Sequence, residues 1–221
     1  PILSAPAGEL KVQAEGLRPE AMGAGTLGGT VLSGKFSGKF GLAGPRPGIS
    51  GEVEARGEVV GQPLKDLKAR LSWEGAKLEI VQAQFQLGSL AVAQLKGGVD
   101  LKGAVDLQYR GSLTADGSSP WLPGGFRGRV EGEGAVKGPF SSLSYSFQGQ
   151  GRGLSGEGLA MDSAAVKVSL SGWPPQSGQV EIRGTGFRTP LGNFGGLDLA
   201  SQGEAGRWRV SFTAGTEEGP R

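Results

Sequence analysis

Gly51-Glu52-Val53-Glu54-Ala55-Arg56-Gly57-Glu58-Val59 decides the fold class. Val53, Ala55, Gly57 and Val59 share one parity, and Glu52, Glu54, Arg56 and Glu58 share the other. Successive side chains of a strand point to opposite faces, so this stretch reads as a strand with one apolar and one wet face. On a helix Val53 and Glu54 would lie about 100° apart, and the two classes would mix.

The same alternation runs outward in both directions. Leu67 and Leu71 alternate with Lys68, Arg70 and Ser72, Leu78 and Ile80 with Lys77 and Glu79, and Phe85 and Leu87 with Gln84 and Gln86. A longer run sets Val99, Leu101, Val105, Leu107 and Tyr109 against Asp100, Lys102, Asp106, Gln108 and Arg110. Val130 and Val136 follow, then Leu143, Tyr145 and Phe147, then Val166, Val168 and Leu170. Val180 with Ile182, and Val210 with Phe212, complete the set. No helix-length window carries a 3.6-residue period, so the chain is expected to be all-β with few or no helices. Turns marked by Gly and Pro, such as Gly61-Gln62-Pro63, Gly138-Pro139 and Trp173-Pro174-Pro175, predict roughly 12 to 16 strands, mostly antiparallel neighbours.

The frame G-x-V-x-x-x-G-x-V-x-G occurs twice, at Gly51 to Gly61 and at Gly128 to Gly138. Each copy is followed by a Pro (Pro63, Pro139) and an alternating strand, so 51–73 is echoed at 128–149. A repeated β unit suggests growth in one direction, and 1–221 is expected to form a single elongated β-domain, a fragment of a longer protein. Glycine makes up 43 of the 221 residues, against a usual share of about 7%. Several fall within alternating runs (Gly103, Gly132, Gly149, Gly151, Gly184, Gly186), where they predict bends or room on the inner face.

Charge gives little purchase for nucleic acid. Lys and Arg number 23 and Asp and Glu 21, interspersed without a single-sign patch. There is no His and no Cys, which removes the commonest general base, the commonest metal ligand and any thiolate site. Gly23-Ala24-Gly25-Thr26-Leu27-Gly28 and Gly151-Arg152-Gly153-Leu154-Ser155-Gly156 match G-x-G-x-x-G, but neither precedes a helical pattern. Gly29 to Lys35 resembles a phosphate-binding loop, yet Phe36 stands where a Ser or Thr would hold magnesium. Asp66, Asp100, Asp106, Asp116, Asp162 and Asp198 lie on polar parities or in turns, where solvated strand faces explain them better than paired catalytic carboxylates. No enzyme activity, cofactor or metal is expected.

Gly132-Glu133-Gly134-Ala135-Val136-Lys137-Gly138-Pro139, followed by the Gly-rich strand Gln148-Gly149-Gln150-Gly151-Arg152-Gly153-Leu154, resembles the repetitive β region of the TamB and AsmA-like family (translocation and assembly module). The resemblance runs from about Gly25 to Ala214. It implies a long antiparallel sheet curled into an open apolar trough, a β-taco. It also implies a periplasmic location in a protein anchored in the inner membrane, and a role in lipid transport, outer-membrane biogenesis and protein secretion. The partners implied are phospholipid acyl chains and, through regions outside this chain, an outer-membrane barrel of the TamA type. The apolar residues named above, from Val53 to Phe212, would line the lipid groove. The alternatives are a structural β-solenoid or β-sandwich segment of a secreted or surface protein with a closed core, and, less favoured, a β-helix carbohydrate enzyme.

Overall fold

The computed structural model describes residues 7–18, 30–41, 48–59, 61–117, 125–172 and 175–215. Among them are thirteen strands and no helix. They are β1 (Ala7–Leu17), β2 (Val31–Gly41), β3 (Gly48–Val59), β4 (Gln62–Glu74), β5 (Lys77–Leu87), β6 (Leu90–Asp100), β7 (Ala104–Asp116), β8 (Arg127–Pro139), β9 (Ser144–Gly156), β10 (Leu159–Ser171), β11 (Ser177–Thr189), β12 (Gly192–Glu204) and β13 (Arg207–Gly215). They follow sequence order, each hydrogen-bonded to the next, in one sheet. The chain adopts the all-β, antiparallel class that the alternation predicts. It divides into two compact units, Pro1–Tyr109 and Arg110–Arg221, with the boundary inside β7.

Two runs that look separate in sequence are one strand here. Leu78 and Ile80 have even numbers while Ala83, Phe85 and Leu87 have odd ones, yet all five lie in β5 and turn inward. The register slips between Ile80 and Ala83, which inserts an extra residue and restores the apolar face. Val81 is the residue pushed out, and it is 46% exposed. β4 does the same between buried Leu64 and half-buried Leu67, through Asp66 at φ 52°. In the second unit Gly186, at φ 63°, turns β11 over so that Phe187 rejoins the apolar face, its ring 6.4 Å from that of Phe212.

The long run from Val99 to Tyr109 is interrupted where the alternation predicts continuity. Asp100 accepts a hydrogen bond from the Lys102 amide at 2.9 Å through its side chain, and its carbonyl accepts one from the Gly103 amide at 2.9 Å. Asp thus closes a local turn in place of a strand ladder, and Leu101 and Gly103 leave the sheet interior. The echoed frames also part company. The first copy runs through β3 and the second through β8, and both end on a positive-φ glycine (Gly61, Gly138), but the other positive-φ glycine is Gly57, the seventh position, in one and Gly128, the first, in the other.

Two hairpins use a non-glycine residue at positive φ ahead of a glycine, Glu157-Gly158 and Ala205-Gly206. Such a turn favours Asn at its first position, because a left-handed backbone crowds most side chains. Ala205→Asn is expected to stabilise the fold by about 0.5–1 kcal/mol, seen as a higher midpoint in chemical denaturation.

Candidate functional site: an uncovered apolar face

Cross-strand register assembles the apolar residues into rows. In the first unit Val12, Phe36, Val53, Ala69, Ala83 and Leu95 pair successively from β1 to β6. In the second unit Gly132, Gly149, Val166, Ile182, Leu199 and Phe212 pair from β8 to β13. Beside that row runs another, Gly134, Phe147, Val168, Val180, Ser201 and Val210.

The two units share one packing device. Phe36 lays its ring tip over Gly38, two residues along β2, and over Gly51, the partner of Gly38 on β3. A Cβ at those glycines would stand 2.6 and 2.7 Å from Phe36 Cζ. Phe147 does the same over Gly149, two residues along β9, and over Gly132 opposite it, at 2.6 and 2.8 Å. Trp208 likewise covers Gly203, and Met161 covers Gly184. The glycines do leave room on this face, as their placement within strands suggests, but rings and long side chains fill that room. A flat ring over a glycine pair thickens the apolar surface without raising it far above the sheet.

Most of the candidate lining residues take up this face half-buried. Val53 and Val59 sit on β3, Leu67 and Leu71 on β4, Leu78, Ile80, Phe85 and Leu87 on β5, Val99 on β6, and Leu107 and Tyr109 on β7. Val130 and Val136 sit on β8, Leu143 just before β9, Tyr145 and Phe147 on β9, Val166, Val168 and Leu170 on β10, and Val180 and Ile182 on β11. Val105 differs in being buried. Val210 and Phe212 on β13 are 63% and 58% exposed. Leu101 lies in the β6–β7 turn, 55% exposed, and is not part of a strand face. Burial raises the pKa of the Tyr109 phenol above its usual value, since it penalises the phenolate.

The candidate lining set leaves out Phe36, Leu64, Ala83, Ala164, Phe187 and Leu197, although the alternation puts Ala83 on the parity of Phe85 and Leu197 on that of Leu199. Ala83 and Ala164 are small, and Leu64 and Phe187 sit beyond parity flips that alternation alone cannot follow. The Phe-x-Gly spacing at 36–38 and 147–149 was the available signal for the ring-over-glycine device.

Few of these side chains are fully covered. Among the described residues eight hydrophobic side chains are buried: Leu64, Ala83, Val92, Val105, Ala115, Ala164, Phe187 and Leu197. There is neither a helix nor a second sheet among the described residues to lie on the apolar face. None of the described helical segments could cross a membrane, since there are none.

The opposite face is charged and internally paired. Lys35 meets Glu54 at 2.8 Å, Arg70 meets Glu52 at 3.1 Å, Arg110 meets Glu133 at 2.7 Å and Arg188 meets Asp162 at 2.6 Å. A hollow of about 400 Å³ on this face is bordered by Lys35, Arg56 and Lys68 and equally by Glu15, Glu54 and Asp66, so it favours neither sign of ligand. Among the described residues no three carboxylates gather as a metal site. Asp100 serves its turn, and Asp162 and Asp198 face Arg188 and Arg183. Gly151 to Gly156 forms the end of β9 and leads into a hairpin, not a helix, and Val31 to Lys35 is the start of β2. The motif at 23–28, residue 29, and the turn residues Trp173 and Pro174 lie outside the described residues.

The ion pairs set an acid limit. A hydrogen bond from Arg110, then one from Gln148, lowers the pKa of Glu133, and hydrogen bonds from Lys35 and Arg188 lower those of Glu54 and Asp162. Their contribution is present above the ordinary values of 4.5 for Glu and 3.8 for Asp and is lost as pH falls through the lowered folded values. These carboxylates keep about half of their side-chain surface in water, so the effect is small and salt-screened. Glu133→Gln is expected to lose a little stability at neutral pH and to show a shallower decline below pH ~4.5 than the parent in parallel thermal melts.

Comparison with models of protein families, with curated proteins and with solved structures finds no match.

Proposed function

We propose that the apolar face binds phospholipid acyl chains and lets them move along the rows of side chains, with no catalytic step. One observation carries the reading: each unit presents a field of half-buried Val, Leu, Ile and aromatic side chains with no described layer over it. Monomeric proteins rarely expose contiguous apolar patches beyond a few hundred Å² unless the patch has a ligand or partner. An acyl chain fits such a face because it needs contact area and no directional bonds. Each methylene kept from water contributes about 0.8 kcal/mol whether it rests in a bilayer or on this face. The difference between the two is therefore small, as a conduit requires. Within the alternating runs of the described residues the charged side chains take the other face, away from a tail.

The resemblance to the TamB and AsmA-like family extends the proposal. The chain would belong to a periplasmic bridge anchored in the inner membrane, passing phospholipid towards the outer membrane and working with a TamA-type barrel through other regions. The solenoid alternative fits less well, because the described strand pairs are antiparallel and follow sequence order.

A photo-crosslinking residue at Leu107 or Phe147 tests the reading. Irradiation with phosphatidylethanolamine–phosphatidylglycerol vesicles is expected to give lipid adducts at both positions and none at Arg70 or Lys167 on the charged face. Equal labelling of the two faces, or no adduct at Leu107 and Phe147, would contradict the proposal.

A further inference from the structure

On the charged face of the second unit, Arg129 of β8 stands directly opposite Arg152 of β9. Along the pairings from β1 to β6 and from β8 to β13, the other charged residues that face each other have opposite signs, as Lys35 with Glu54, Lys77 with Asp100 and Arg183 with Asp198. The remaining cations face neutral residues, as Lys137 faces Ser144. Like charges directly across a ladder are destabilising. The backbone here nevertheless keeps a third cation beside the pair. The register shifts between Arg127 and Arg129, and Gly153, at φ 58°, adds a residue to β9. Arg127 therefore faces Ser155, while Leu154 turns to the apolar face and packs over Gly151 and Gly128. On its other side Arg152 faces Ser163, whose hydroxyl lies 2.8 Å from that of Thr185. Nearby carboxylates do not neutralise the group. Glu131 reaches Arg129 at 3.5 Å, Asp162 is held by Arg188 at 2.6 Å, and Arg152 has no ion pair among the described residues.

We propose that Arg129 and Arg152, flanked by Arg127, bind a phosphate monoester. A guanidinium is a planar fork of donors that matches phosphate oxygens two at a time, and such charge-assisted hydrogen bonds are the strong ones. Directly opposite residues of an antiparallel pair have their Cβ atoms about 4.5–5.5 Å apart, so one phosphate can engage both forks. The charge matches as well. A phosphate monoester carries about −1.5 to −2 at neutral pH, enough to offset two facing cations, whereas a carboxylate offsets one. Bound phosphate would turn the repulsion between Arg129 and Arg152 into two favourable contacts with a shared anion. The site lies on the face away from the acyl-chain rows, so it stands or falls independently of the lipid reading. The ester itself can be a soluble one or the headgroup of an anionic lipid, since the two share this chemistry.

Glycerol 3-phosphate, titrated into the full chain at constant ionic strength and followed at the arginine Nε–Hε signals by NMR, is the probe. Saturable shifts are expected at Arg129 and Arg152, and none with acetate. Arg152→Gln should weaken binding by about fivefold or more. Glu131→Gln should tighten it, because Arg129 is then released from its carboxylate; a gain of this kind cannot come from misfolding. Arg183→Gln, which removes a cation already facing Asp198, should leave binding unchanged. Flotation with phosphatidylcholine vesicles, with and without phosphatidic acid, separates the two sources. Binding that needs both phosphatidic acid and Arg152 assigns a lipid headgroup, and glycerol 3-phosphate binding without it assigns a soluble ester. No saturable shift with glycerol 3-phosphate, an equal response to acetate, or unchanged affinity in Arg152→Gln would each overturn the proposal.

Discussion

Replacing Gly149 by Val is expected to destabilise the protein by about 3 kcal/mol, lowering the thermal midpoint by roughly 6–12 °C. The new Cβ would meet Phe147 Cζ at 2.6 Å and also the Glu131 carbonyl. The ring must therefore leave its place over Gly132 and Gly149, and the β8–β9 ladder must open. Gly51→Val should behave alike, since Phe36 Cζ, the Ser37 carbonyl and Gly38 Cα crowd the same position there. Adding Phe147→Ala to Gly149→Val should recover part of the loss, because the ring clash vanishes while the carbonyl contact stays. A Gly149→Val protein that melts within 1 °C of the parent would show that the glycine row is not a seat for the ring.

These glycines also mark how far the sequence can be read. Strict alternation around Val53, Leu71, Phe147 and Val168 was enough to give the strands and the face each side chain takes, because strand side-chain direction has a period of two. It failed where that period is locally broken. Val81 and Asp66 each add a residue inside a strand, so β5 reads as two short strands and Leu64 drops out of register with Leu67. Leu101 failed for another reason: Asp100 satisfies two amides locally and stops the strand before the parity changes. The glycines inside strands were visible as a signal of inner-face space, but not their occupants. A ring over a glycine on the neighbouring strand is a cross-strand fact, and one strand's sequence does not contain it.

Two charge insertions on the apolar face separate a covered core from an open wall. Val105 is buried in β7, so Val105→Arg would place a cation where little water reaches and is expected to unfold the first unit. Val168 lies between Phe147 and Val180 on β9 and β11 and is only half-buried. An Arg there can extend its charged head into solvent while its stem lies on the apolar row. Val168→Arg is therefore expected to keep the fold, with a loss within about 1–2 kcal/mol, and to interrupt the apolar path between Phe147 and Val180. If both variants unfold alike, the face around Val168 is closed core.

The most direct measurement is phospholipid bound to the purified protein after incubation with phosphatidylethanolamine–phosphatidylglycerol vesicles and complete removal of the vesicles, quantified by mass spectrometry for the parent chain and for Val168→Arg. The apolar-wall account predicts phospholipid in near-stoichiometric or greater amount on the parent and at least a several-fold loss in a folded Val168→Arg protein. A parent chain that emerges free of lipid, or a variant that carries as much as the parent, would contradict it.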